Sequence, residues 1–338
     1  MIKKIAIFLA LCAVILAAVG FYVNQQVQQY VNQPVTNSQP ELLTIKSGTS
    51  FQGVLTQLEN AGWVNTSSFS KLVRHVYPEL VQVKAGTFFL KTGMTLSEAL
   101  VYLGEGKEHQ FAITFVEGTT FKEWRAILDN TEYLRRLTRG KSELEIAKAL
   151  GIDNQKLEGL FLAETYYYTA GTSDLEILKR AHRNLNTVLD NAWERKQEEL
   201  PLKSAYEALI LASIIEKETA LDEERKRISS VFINRLNKGM RLQTDPTVIY
   251  GMGESYDGNI RKKDLRTPTP YNTYVIKGLP PTPIAMAGSA SIEAALNPEK
   301  SRYLYFVASG YGGHVFSKNL ADHNRAVRQY LKVLRSKK

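Results

Sequence analysis

The stretch Ala208–Asp245 reads ALILASIIEKETALDEERKRISSVFINRLNKGMRLQTD, and its reading decides the fold. It opens inside an almost wholly apolar helical run, Ala205–Ile215, which ends on two acids, Glu216 and Glu218. Glu218 follows Leu211 and Ile214 at helical spacings that put it within about 20–40° of both, on one stripe. Glu216 points roughly 200° away from it. One acid therefore continues a buried face while the other leaves it. A carboxyl held against aliphatic side chains loses hydration and stays protonated near neutral pH, as a general acid requires. The competing reading is structural: Glu218 could pair with Arg225 or Arg235, and ion pairs also perturb acids.

A chain of 338 residues, 44% apolar and 10% aromatic, is long enough for one large or two medium domains with real cores. The net charge of +9 points to an anionic partner. The basic residues are interspersed with acids and carry no zinc, RNA-binding or helix-turn-helix signature, so nucleic acid is not expected. An anionic membrane surface or cell-wall polymer fits as well.

Lys3 and Lys4 precede Ile5–Val23, a run without charge or proline. As a helix it spans roughly 28 Å, close to the hydrocarbon core of a bilayer. The lysines on its N-terminal side predict a cytoplasmic N-terminus, residues 1–4, and an exported body. A cleaved signal peptide is the alternative, but residues 24–33 offer no clear small-x-small site. The single cysteine, Cys12, lies in this run behind Leu11, which does not suit a lipoprotein box, and no intrachain disulfide can form. Residues 24–40 are mostly Gln, Asn, Val and Pro without a charge and read as a tether.

Three segments then repeat one pattern. Lys46–Phe51, Lys91–Leu96 and Val116–Phe121 each place a glycine turn and a Ser/Thr cap ahead of an amphipathic helix and behind a β-rich run. Thr95 with Glu98 and Thr120 with Glu123 have capping-box spacing. A short helix over 69–76 completes a small α+β module, residues 41–108, and a larger mixed helix/strand domain, residues 109–338, follows. In the latter, Leu134–Leu150 and Leu175–Gln197 read as helices. Glu164 precedes three tyrosines, Tyr166–Tyr168, which suit either sugar stacking or a strand. Asp222 is positioned to cap a second helix that Gly239 ends. Tyr303–Ala308 and His314–Phe316 read as a hairpin. The last helix, Leu320–Leu334, aligns Leu320, Asn324, Val327, Leu331 and Leu334, with Asn324 either a packing polar or a site residue.

The five histidines lack metal-ligand spacing, and no Walker, Rossmann or G-x-S-x-G pattern occurs. Neither metal nor cofactor is expected. What remains is a buried acid with amides and hydroxyls in extended segments, the means of holding a neutral hydroxyl- and acetamido-bearing polymer. An exported body tethered to a bacterial membrane meets one above all, the peptidoglycan glycan strand.

Leu211–Thr219, Val231–Leu236, Met240–Val248, Tyr271–Tyr274, Gly278–Pro281 and Gly313-His314-x-Phe316 resemble, as a set, the endolytic murein transglycosylase family, MltG/YceG-like. The resemblance runs from the anchor to the C-terminus. It implies an α+β protein with an N-terminal transmembrane helix, a LysM-like module and a transglycosylase catalytic domain. It also implies a single pass through the inner membrane, a periplasmic body and association with peptidoglycan synthases. It places the catalytic acid on Glu218 and substrate contacts on Gln243, Asp245, Tyr271, Asn272, His314 and Asn324. The family's Glu-Gly…Pro-Asp-Thr pattern reads Glu158-Gly159…Ala163-Glu164-Thr165 here, which puts Glu164 among the candidates with a longer side chain and no rigid proline. The implied reaction is non-hydrolytic cleavage of the MurNAc–GlcNAc bond with a 1,6-anhydro end. A two-carboxylate hydrolase, with Glu164 or Asp245 as second acid, and a non-catalytic glycan-binding scaffold are the alternatives.

Overall fold

A computed structural model describes residues 1–337 of the chain. It is a mixed α+β structure of two compact units, Met1–Phe111 and Ala112–Lys338.

The N-terminal unit begins with one long helix, α1 (Ile2–Val31), of 30 residues. Its first part is exposed and is long and apolar enough to cross a bilayer. The expected tether over 24–40 is ordered instead. α1 continues through Val31, and Val27, Tyr30 and Val31 bury themselves in the unit's core. The physical reason is the spacing: Val23, Val27, Tyr30 and Val31 form one stripe in an otherwise amide-rich run. Beyond it, the backbone N–H of Val35 donates to Met94 (2.8 Å) and that of Thr36 to Trp63 (2.8 Å).

The repeats fold as one device used three times. β1 (Glu41–Ile45) turns into α2 (Phe51–Asn60), and a 3₁₀ turn over Ser70–Leu72 leads to the short α3 (Val73–Val76). β2 (Gly86–Leu90) turns into α4 (Leu96–Glu105), and β3 (Phe111–Thr114) into α5 (Phe121–Asn130). Gly48, Gly93 and Gly118 sit in the turns with φ of 83°, 80° and 75°, a region only glycine enters freely. Ser50, Thr95 and Thr120 then cap their helices, the two threonines in complete capping boxes with Glu98 and Glu123. β1 and β2 pair antiparallel, Glu41 opposite Leu90 and Ile45 opposite Gly86.

In the C-terminal unit α6 spans only Glu143–Leu150, shorter than the predicted Leu134–Leu150, because Thr138 and Leu137 are bonded to Asp174 rather than wound into a helix. β4 (Thr165–Tyr168) joins β3 in a two-stranded sheet, so the tyrosine run is a strand. Phe115 and Trp124 stack beneath it with centroids 3.7 Å apart. α7 (Asp174–Glu194), α8 (Ala205–Glu218), α9 (Asp222–Asn237) and α10 (Asp245–Met252) follow. Asp222 is the first residue of α9 rather than its cap; Leu221 holds that position without a side-chain bond. α11 (Ser289–Leu296) packs along α8, small residue against small residue: Ala208, Ala212, Ser291 and Ala295 are all fully buried. β5 (Tyr305–Ala308) and β6 (His314–Ser317) form the expected hairpin, and α12 (Leu320–Ser336) packs against it.

Val27→Asp tests the docking of α1. A charge placed in that core should destabilise the N-terminal unit by about 3 kcal/mol or more, read by urea denaturation.

Candidate functional site

Three consecutive residues at the end of α8 go to three different segments. Glu216 accepts from the backbone N–H of Gly288 (2.9 Å) and lies 3.5 Å from Arg225. Lys217 donates to the carbonyl of Gly118 (3.0 Å). Glu218 turns the other way, and its Oε1 accepts from the Thr244 hydroxyl. The divergence expected of Glu216 and Glu218 is thus present in the structure.

Glu218 is only partly open to solvent. Burial pushes its carboxyl above the usual range, and the charge of Asp245 pushes the same way. The Thr244 hydroxyl and His314 act against that shift. The ion-pair alternative fails: among the described residues neither Arg225 nor Arg235 bridges Glu218. Arg225 is spent on Glu216, Glu117 and Asp222. Arg235 is buried and donates to carbonyls, Leu304 (2.6 Å), Leu242 (2.8 Å) and Arg241 (3.2 Å), and to the Gln243 side-chain oxygen (3.4 Å). Burial accordingly lowers the Arg235 pKa.

The loop before α10 brings Thr244 and Asp245 to Glu218. Gln243 is held with φ of 53°, a left-handed conformation that costs a side-chain-bearing residue energy. Its backbone N–H donates to Thr273 O (3.2 Å), and that of Thr244 donates to Thr273 Oγ1 (3.1 Å). Asp245 accepts from the Tyr274 hydroxyl (2.6 Å), whose own pKa is driven up by burial and by Asp245. His314 enters from β6. Its backbone N–H donates to Glu224 Oε1 (2.8 Å) and its Nδ1 lies 2.7 Å from Glu224 Oε2. A Cβ on Gly313 would stand 2.6 Å from Glu224 Oε1, so the glycine admits the carboxylate.

The remaining candidates divide. Asn272 is buried, and its amide donates to the carbonyls of Asp264 (3.0 Å) and Thr267 (2.8 Å) while its oxygen accepts from Tyr274 N (3.0 Å). These bonds organise the loop that carries Thr273 and Tyr274. Tyr271 reaches Thr282 (2.9 Å) and meets Tyr250 edge to ring at 4.8 Å. Asn324 is exposed on α12 rather than buried. Glu164 accepts from Asn184 (2.6 Å) and lines a cavity of about 690 Å³ with Glu117, Glu216 and Arg225, whose lining does not include Glu218. Thr244, Tyr274 and Glu224 escaped the sequence reading as separate candidates. Thr244 and Tyr274 lie inside motifs it quoted; Glu224 hides among three acids at a helix start, where acids are common for dipole reasons alone.

The YceG-like family profile matches residues 43–329. The chain belongs to the YceG-like family. A Bacillus subtilis (strain 168) protein named endolytic murein transglycosylase is 34% identical over 309 residues, covering 86% of this chain and 84% of its own. A Streptococcus pneumoniae (serotype 2) protein of the same name is 28% identical, covering 96% of this chain but 64% of its own length. The crystal structure of a yceG-like protein from Listeria monocytogenes aligns with a TM-score of 0.53 at 32% identity, over 86% of this chain and 99% of that one.

Two measurements check the electrostatics. Asp245→Asn removes a charge that holds the Glu218 proton on, so carbonyl NMR should find the Glu218 pKa lower in that variant. Glu158 is buried, accepts from Phe121 N (3.0 Å), and is pushed up to about 7 by desolvation. Its neutral form therefore stabilises the fold below the unfolded value of 4.5, and that contribution is lost as pH rises through about 7. Glu158→Gln should match the parent at pH near 4 and exceed it by up to about 3 kcal/mol above pH 8, measured by urea denaturation.

Proposed function

We propose that the chain is a membrane-anchored endolytic peptidoglycan lytic transglycosylase, with Glu218 as its only proton-transferring residue. The observation that carries the reading is a desolvated carboxyl, raised in pKa, bonded by a hydroxyl and, among the described residues, bridged by neither arginine nor lysine. Family membership and relatives named endolytic murein transglycosylase support it.

In this reading the protonated Glu218 donates to the oxygen linking MurNAc C1 to GlcNAc as positive charge builds on C1. The C1–O bond breaks with its electron pair on the departing GlcNAc hydroxyl. The C6 hydroxyl of the same MurNAc closes onto C1, and the ionised Glu218 takes its proton. The N-acetyl oxygen assists at C1. No water enters, and the enzyme returns to its starting protonation state. Thr244, bonded to one carboxyl oxygen, leaves the other free to carry the proton. Gln243, Asp245, Tyr271 and His314 serve as substrate contacts or positioning groups. Glu224 holds His314 by two bonds and so fixes the ring beside the acid.

The apolar half of α1 serves as a single-pass anchor, with the N-terminus cytoplasmic and the body on the outer face of the cell membrane. The N-terminal unit, with its strand-turn-helix repeats, serves as a LysM-like module that contacts glycan.

A two-carboxylate hydrolase is the second reading, because Asp245 lies close enough to raise the Glu218 pKa. Mass spectrometry of digested glycan strands separates the two. The transglycosylase yields ends lighter by one water than hydrolysed ends. Glu218→Gln should reduce product formation by about a thousandfold or more while the protein stays folded. Asp245→Asn should lose far less activity than Glu218→Gln, with the alkaline limb of its pH profile moved to lower pH. Reducing ends, together with an equally severe loss in Asp245→Asn, would establish the hydrolase instead.

A further inference from the structure

α12 carries two apolar stripes, and the fold uses one. The inner stripe is His323, Ala326, Tyr330 and Val333. Ala326 is buried, His323 stacks on Tyr305 at 5.1 Å, and Tyr330 and Val333 close over Gly310. The second stripe, roughly 100° around the helix, is Leu320, Asn324, Val327, Leu331 and Leu334. Its spacing alternates four and three residues, the repeat of a coiled-coil seam, with Asn324 at a seam position. Among the described residues it is largely open: Leu320 is 55% exposed, Leu331 44% and Leu334 40%, Asn324 is exposed as well, and Val327 between them is half-buried. Covering the open parts of three leucines would be favourable, so leaving this row in water is a cost that a soluble face does not need.

The charges beside the seam select what covers it. The flank away from the hairpin carries Arg328, Lys332 and Arg335, all exposed, and among the described residues none is bridged to a carboxylate. Asp322, the nearest acid on the helix, is taken by Arg325 and lies on another face. A second copy of this chain pairing antiparallel would set Arg328 and Arg335 against their own copies. A parallel copy would need the flank bearing His323 and Tyr330, which the hairpin occupies. A bilayer surface fits less well. The seam is narrow, holds no aromatic residue, and has an amide in its middle, where an interfacial helix needs a wide apolar face. An asparagine at a seam position instead sets the register of a partner helix.

We infer that the outer face of α12 is a docking site for an acidic amphipathic helix of another protein, one with aliphatic residues along its seam, a polar residue opposite Asn324, and Glu or Asp facing Arg328 and Arg335. This inference is independent of the chemistry at Glu218.

The test uses the full chain in discs of neutral phosphatidylcholine and two synthetic helices of about three heptads, with Leu in the seam and one Asn, flanked by Glu in one and Lys in the other. Fluorescence anisotropy should find saturable binding of the Glu helix and binding of the Lys helix weaker by about tenfold or more. Leu331→Glu, an exposed site that cannot unfold the core, should weaken the Glu helix by about tenfold or more. Arg328→Glu with Arg335→Glu should reverse the preference toward the Lys helix, an outcome that loss of folding cannot produce. Hydrogen exchange should slow in α12 on adding the Glu helix and stay unchanged when phosphatidylglycerol enters the disc. Four results would overturn the inference: no binding of either helix, equal binding of both, α12 protection by the anionic lipid alone, or self-association of the chain that Leu331→Glu abolishes.

Discussion

The candidate site depends on one arrangement at the C-terminal end of α8, where a carboxyl is kept out of reach of Arg225 and Arg235. Glu216, Lys217 and Glu218 are neighbours in sequence, and each is directed to a separate segment. Arg225 and Arg235 are both diverted. Arg225 is consumed by the acids on Glu216's side, and Arg235 donates to carbonyl oxygens. Had either reached Glu218, Coulomb attraction in a poorly hydrated setting would have held the carboxyl ionised. The negative end of the α8 dipole acts in the same direction as burial, favouring the neutral acid. The shift is therefore a product of exclusion as much as of desolvation.

Excluding charge from one spot requires rigidity around it, and the fold supplies that with buried neutral bonds. α8 is buried along Ala208–Ile215. Its one polar core residue, Ser213, donates to Ile210 O (2.7 Å) and accepts from Ile284 N (3.0 Å), which fixes the segment after Pro283 against the helix. Gly118 and Met286 bond to one another (2.8 Å), so the third strand-turn-helix repeat is tied to the same segment. On the other side, Thr273 accepts from Thr244 and bonds Thr247 (2.8 Å), while Asn272 holds the loop that carries it. The left-handed Gln243 is tolerable because Arg235 and Thr273 both hold its position. Strain of this kind persists where surrounding bonds over-determine it.

The local features were legible because they obey short-range rules. Glycine turns and caps announce each repeat, and the helical angle alone separates Glu218 from Glu216. What stayed hidden depends on distant partners. Thr138 is in no helix because Asp174 binds it from 36 residues away. The amide-rich run after Val23 looked like a tether because its three core residues are diluted among glutamines, and only the fold supplies the surface they bury against. Asn272 and Glu224 belong to residue types that bind substrates and scaffold loops equally well, and sequence spacing cannot say which. The spacing puts Asn324 on an apolar stripe, but only the fold shows that the hairpin packs on the neighbouring stripe and leaves Asn324 in solvent.

The relation between Glu218 and Asp245 is where these strands meet. Glu218 ends α8, at the negative end of a dipole, and Asp245 begins α10, at the positive end of one. A helix N-terminus favours negative charge and a C-terminus disfavours it, so the two carboxyls lie in opposite fields. Burial, with the Asp245 charge beside it, keeps the proton on Glu218. Tyr274 holds Asp245 in place by donating to it (2.6 Å). In the proposed reaction this asymmetry has a second effect. Once Glu218 has given up its proton, its charge lies in a poorly hydrated setting near that of Asp245, a repulsion His314 offsets only in part, and the cost of that state favours recapture of a proton. The C6 hydroxyl closing onto C1 supplies one at the moment it becomes acidic. A site that bound the anion well would donate readily and stall there; a site that holds it poorly can act as acid and then as base on a single sugar.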